Sequence, residues 1–233
     1  TTGYPNVIIE FQTQYRRYNN EQTFLIISTN NTDWPTDLTP ATDITGLPNV
    51  FHVFAPGELT QGVSPGNPTT RRINISSVAG DQAQVWVRFL FVGIWGYTWY
   101  VDDVVVREQP AYELIMEDGF LSQTGDGEEY GRIPASQLNT TMRVGGSFLN
   151  FGFEDMTDVG VTLEVRDAST ALQFSATTSP TALAAGTAST MDQTVSIPAL
   201  SDGLYTGTFV ASSADGPARP VLVDVPDLEI LVV

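Results

Sequence analysis

The sequence has no cysteine, no lysine and a single histidine, His52. Without cysteine there can be no disulfide framework and no thiolate metal site. One histidine excludes a multi-histidine metal centre within the chain and leaves little for general acid–base catalysis. All ten basic residues are arginine, against 27 carboxylates, giving a formal charge of −17. Nucleic acid is a poor partner for such a chain, because phosphate contacts need a basic face. An anionic membrane surface is disfavoured for the same reason. No apolar run approaches the ~18 residues of a membrane span. Helical periodicity is almost absent as well. The alanines of "SPTALAAGTAST", Ser179 to Thr190, could support a turn of helix, but the Pro and Gly among them favour a loop.

What is present is strand. Runs rich in Val, Ile, Thr, Phe and Tyr alternate with Gly, Pro, Asn, Asp and Ser. They predict strands near 6–18, 22–29, 50–54, 70–77, 83–93 and 97–108, then near 111–117, 141–152, 159–167, 170–177, 191–198, 204–212 and 220–232. Regular short strands with turn signals predict an all-β chain of antiparallel sandwiches. The domain boundary is expected at "REQPAYE", Arg107 to Glu113, where Pro110 interrupts the ladder. All four tryptophans, Trp34, Trp86, Trp95 and Trp99, precede it, and no sequence repeat links the halves. The sequence starts at Thr1, is soon inside the strand-like "NVIIEFQTQYRRY", and is expected to be a processed or excised piece of a longer protein. The acidity suits cation-rich surroundings, or else reflects the bias of the source genome.

The stretch "VWVRFLFVGIWGYTWYVDDVVV", Val85 to Val106, predicts a hairpin of two long strands. Val85, Val87, Phe89 and Phe91 share one face, and Trp86, Arg88, Leu90 and Val92 the other. Trp95 falls at the tip between Gly93 and Gly96. A flat aromatic there can stack on a sugar ring while polar neighbours bond its hydroxyls; packing in the core, or back onto the module's own sheet, is the alternative for Trp95 as for the other tryptophans. Trp95, with Tyr97 beside it and Trp34 in "NNTDWPTDL", is the candidate surface for a glycan or a partner chain, although the Asp and Pro around Trp34 also suit a ring packed over a sheet end. Asp102 and Asp103 are adjacent within the last strand of the stretch, so they should point to opposite faces and bring one carboxylate close to the core. A buried carboxylate needs donors or a cation, and Arg88 across the hairpin is one candidate partner.

Three phrases carry a family resemblance: "QTFLIIST", "RRINISSVAGDQAQVWVRF" and the closing "WYVDDVVV". Together they resemble the latter part of a cleaved-adhesin or MAM-like jelly-roll domain, of the concanavalin-A-like, carbohydrate-binding-module type, over about residues 5–107. Such domains recur in large surface proteins exported by the type IX system of Bacteroidetes-type bacteria. The family's usual N-terminal strands are missing before Thr1, so on this resemblance they either lie upstream or have been cut away. "NFG", "DVGVTLEV" and "DGLYTGTF" are similar to the Ig-like or fibronectin-like spacer that follows in such proteins. The resemblance implies a jelly-roll-like sandwich at 1–109 and an Ig-like sandwich at 110–233. It also implies a structural Ca²⁺ held by Asp102 first and Asp103 second. Hard Ca²⁺ takes six to eight oxygens, which an acidic chain can offer.

Other acidic stretches carry less. "EDGFLSQTGDGEEYG", Glu117 to Gly131, lacks EF-hand spacing and reads as a solvated loop, as does the turn holding Glu154, Asp155 and Asp158. Asp102 and Asp103, on opposite faces, cannot flank one glycosidic bond. His52 is expected to be a packed or exposed strand residue. The expectation is therefore a non-catalytic segment of a large secreted or cell-surface bacterial protein, acting in adhesion or glycan binding. Its partners would be a polysaccharide or neighbouring chains, with no nucleic acid and no membrane insertion. The alternatives are a spacer or subunit of an extracellular stalk or filament, and an accessory region of a secreted hydrolase.

Overall fold

The computed structural model describes residues 1–93, 95–122, 132–215 and 228–232. Nearly all of its regular structure is antiparallel β, as the strand pattern predicts. The chain divides into two compact units, Thr1–Gln109 and Pro110–Val233.

The first unit is a sandwich of two three-stranded sheets. One contains β1 (Val7–Tyr15), β4 (Thr69–Asn74) and β6 (Trp99–Glu108), in the order β4-β1-β6. The other contains β2 (Gln22–Ser28), β3 (Val50–His52) and β5 (Trp86–Val92), in the order β3-β2-β5. A single-turn helix, α1 (Ser76–Ala79), follows β4. The alternation in β1 explains its place. Val7, Ile9, Phe11 and Tyr15 enter the core with Leu25 and Ile27 of β2, while Glu10, Gln12 and Gln14 turn outward. Each fully buried Ile or Phe contributes about 1.5–3 kcal/mol. β2 is buried on both faces beyond Gln22. Its outer face, Phe24 and Ile26, lies under Trp34, Leu38, Ile44 and Leu47 from the long segment between β2 and β3.

The structure corrects the predicted hairpin over 85–106. Among the described residues β5 pairs with β2 alone, and β6 with β1 alone. The residues between them therefore cross from one sheet to the other, where facing sheets lie ~10 Å apart. Face assignments within β5 stand: Val85, Val87 and Phe89 pack inward, and Leu90 and Val92 outward. Period-two alternation fixes the face a side chain takes but not the neighbouring strand, so the error is one of partner.

The second unit also stacks two sheets. β7 (Leu114–Ser122), β9 (Thr141–Asn150) and β13 (Ala188–Ser196) form one, in the order β13-β9-β7. The other runs β11-β10-β14-β15-β8, from β8 (Arg132–Ile133), β10 (Met156–Asp167), β11 (Leu172–Thr177), β14 (Gly203–Ser212) and β15 (Leu228–Val232). Short β12 (Thr181–Leu183) also pairs with β10. β15 and β8 make a parallel contact. Val144, Leu163, Val165 and Val232 fill one part of the core, and Leu114, Phe148, Met156 and Val161 another. Asn150 is fully buried with its amide saturated: it donates to Glu154 O at 2.8 Å and Leu183 O at 3.1 Å, and accepts from Gly152 N at 3.0 Å. Part of the acidic segment expected to be a loop is strand, since β7 continues to Ser122. Its remainder, 123–131, and the first residues of the strand expected at 220–232 lie outside the described residues.

Candidate functional site

Trp95 is the most exposed large apolar side chain among the described residues, 86% accessible. It takes a left-handed backbone, φ +61°, which costs an L-residue about 1–2 kcal/mol. The glycine at 93 answers a different need. A Cβ there would lie 2.5 Å from Glu21 Cβ, so only glycine lets the loop close onto Glu21.

Glu21 ties the two segments of the site together. Its side chain is buried, and its carboxylate accepts the backbone N–H groups of Tyr18 and, at 2.7 Å, Asn19. A Cβ at Gly96 would sit 3.3 Å from Glu21 Oε1, so the same carboxylate also lies under the loop that carries Trp95. The Tyr15 hydroxyl donates to Glu21 O at 3.2 Å. Burial, and then the Glu21 charge, hold that phenol well above its ordinary range, so it stays a donor.

Above this base stands a group of aromatic rings. Tyr18 and Tyr97 meet edge to face, centroids 5.3 Å apart at 80°. The Arg16 guanidinium lies 5.0 Å from the Tyr97 centroid, within cation–π range. Its Nε donates to Gly62 O at 2.9 Å. Tyr18, Trp95, Gly96 and Tyr97 line an open hollow of about 460 Å³. Trp95 and Tyr97 thus come together as the sequence suggests. Tyr18 and Arg16 complete the group from the far end of β1, and only the polar run "QYRRYNNEQ" between two strands hints at them.

Trp34 is not among the residues lining the hollow. It is half-buried in the segment covering β2, with the Arg88 guanidinium 4.1 Å from its ring centroid. Arg88 is therefore stacked on Trp34 rather than on a carboxylate across a hairpin. Asp102 and Asp103 are both exposed, which corrects the expectation that one approaches the core. A β-bulge explains it. The β1–β6 register shifts between Glu10 and Gln12, and Asp103 sits in the left-handed region at φ +50°. The alternation rule fails at a bulge, and Asp is one of the few residues that tolerates this conformation. Asp102 Oδ1 accepts the Asp103 N–H at 2.8 Å.

The described residues contain no group of three or more His, Asp or Glu side chains able to hold a metal ion. His52 stacks on Phe24 with centroids 5.3 Å apart, and burial lowers its pKa below the ordinary value.

No family model matches the chain, and no curated protein matches it. Solved structures with some likeness include a calcium-binding mutant of Bacteroides uniformis β-glucuronidase 2, at 13% identity and TM-score 0.38, with 90% of this chain and 23% of that chain covered. A putative β-galactosidase from Bacteroides fragilis matches at 10% identity and TM-score 0.37, over 91% of this chain and 28% of that one. A Parabacteroides merdae β-glucuronidase matches at 12% identity and TM-score 0.38, over 100% of this chain and 26% of that one. The chain thus spans less than a third of the length of each. Likeness this distant assigns neither ligand nor residue roles to the present chain.

Proposed function

We propose that the first unit is a non-catalytic glycan-binding module, and that the chain serves adhesion as part of a larger secreted or cell-surface protein. The observation that carries this reading is the 86% exposure of Trp95 in a strained loop beside Tyr18 and Tyr97. A large ring held in solvent at a backbone cost needs something to cover it. A hollow walled by aromatic faces, with polar backbone and Arg16 near, suits a pyranose ring. Trp95→Ala should leave the fold intact, because the ring has little to pack on, and should weaken retention of the protein in polysaccharide-containing native gels. Equal mobility of wild type and variant across a panel of polysaccharides would remove Trp95 from any glycan site.

The second reading is a structural one: a subunit of an extracellular stalk or filament. It is favoured by β6, which ends its sheet and exposes Val104, Val105 and Val106 to 46–47%. On that reading the partner is a second copy of this chain.

A further inference from the structure

The outer face of the β4-β1-β6 sheet carries a second concavity. Gln12 lies directly opposite Asp102 in the register, and Gln14 opposite Tyr100. Directly opposed residues share a face and lie within contact range, so these four side chains form one polar patch with an aromatic at its end. Asn67 and Pro68, just before β4, close one side, and the cleft measures about 180 Å³. Tyr100 is 60% exposed. The strands beneath are locked: Thr13 Oγ1 donates to Tyr100 O at 2.7 Å and accepts from Trp99 Nε1 at 2.7 Å. Among the described residues no hydrogen bond engages the side-chain amides of Gln12, Gln14 or Asn67. Amides that both donate and accept, a carboxylate that accepts and an exposed phenol ring form a chemical set matched to sugar hydroxyls around a ring face.

Tyr100 follows Trp95 by five residues, so the two are separated by no more than about 18 Å of chain. We propose that the cleft and the Trp95 platform bind one extended, neutral polysaccharide strand, rather than a single sugar end. This rests on the reading of Trp95 given above. The Asp102 carboxylate sets the charge preference. A uronate or sulfate in the cleft meets a like charge, whereas a neutral hydroxyl donates to Asp102 in a charge-assisted bond. Two subsites on one strand of ligand also make affinity depend on ligand length, because the second contact forms at high effective concentration.

The test uses the full chain and titration calorimetry. Probes are neutral polymers (xylan, mannan, mixed-linkage glucan), acidic polymers (polygalacturonate, a sulfated galactan), and graded oligosaccharides of whichever neutral polymer binds. Wild type should bind a neutral polymer, and bind its longer fragments more tightly. Tyr100→Ala should lose about tenfold for long fragments and nothing for the shortest, and Gln14→Ala should follow the same pattern. Tyr100→Phe, which keeps the ring, should retain most of the affinity and carries the test if the alanine variant misfolds. Trp95→Ala should weaken fragments of every length. If Tyr100→Ala and Gln14→Ala match wild type at all lengths while Trp95→Ala is weakened, the cleft is no subsite and the platform stands. Tighter binding of the acidic polymers overturns the charge preference. If no polymer binds, or Trp95→Ala equals wild type, the platform reading falls and the extended site with it.

Discussion

Asp102 and Asp103 show what a single residue's conformation does to a sequence argument. Adjacent strand residues should face opposite ways, yet both carboxylates meet solvent because Asp103 is the extra residue of a bulge at φ +50°. Nothing in "VDDV" marks a bulge except that Asp tolerates the left-handed region, so the exposure was not legible beforehand. If backbone conformation is what Asp103 supplies, its carboxylate is dispensable. Asp103→Gly should then leave stability within about 0.5 kcal/mol, the relief of the left-handed strain offsetting glycine's extra chain entropy. Asp103→Val should cost about 1–2 kcal/mol, since a β-branched residue is worst placed there. Urea midpoints of the two variants check this. Equal losses for both would show that the carboxylate itself matters, as a cation ligand would require. Trp95 was more readable. Its loop position follows from the flanking glycines, although the positive φ falls on Trp95 itself and Gly93 serves the contact with Glu21.

At the scale of elements, alternation was a good guide to faces and a poor one to partners. "EFQTQY" places Gln12 and Gln14 outward on β1, and they line the cleft. The same reasoning joined β5 and β6 into a hairpin that the fold splits between two sheets. Among the described residues β6 consequently ends a sheet, with ten residues and one neighbour. Such edges recruit other strands unless they are guarded. The guards are visible in the bulge at Asp103 and in the charges of Asp102, Arg107 and Glu108, with Arg107 already bridged to Glu10. Between them Val104 to Val106 stay open. Antiparallel pairing of two copies about Val105 would set Asp103 of one against Arg107 of the other, so the edge is self-complementary at that register. The structural reading therefore expects wild type to sediment above monomer mass as concentration rises, and Val105→Lys to remain monomeric. Wild type that stays monomeric throughout would leave the valines as a guarded edge and remove the support for a filament subunit.

For the whole molecule, charge is the property that composition states most plainly and the fold distributes unevenly. Residues 1–109 carry ten carboxylates against six arginines, and residues 110–233 carry seventeen against four. Among the described residues, ion pairs engage Glu10 and Glu58 in the first unit, and Glu164 and Asp192 in the second. Such an excess of like charge in the second unit is a self-repulsion that disfavours the compact state. Salt should relieve it. The Debye length falls from about 30 Å at 0.01 M to about 3 Å at 1 M. Across that range the melting temperature of the second unit should rise by several degrees, on the scale of ~1 kcal/mol, and that of the first by less. Calorimetric scans in NaCl and in CaCl₂ at matched ionic strength separate screening from binding. If Asp102 and Asp103 are no more than surface carboxylates, the two salts should raise the first transition alike. A larger rise in CaCl₂, abolished by Asp102→Asn, would mean that a folded-state site binds the ion, since only site binding adds stability by mass action beyond screening.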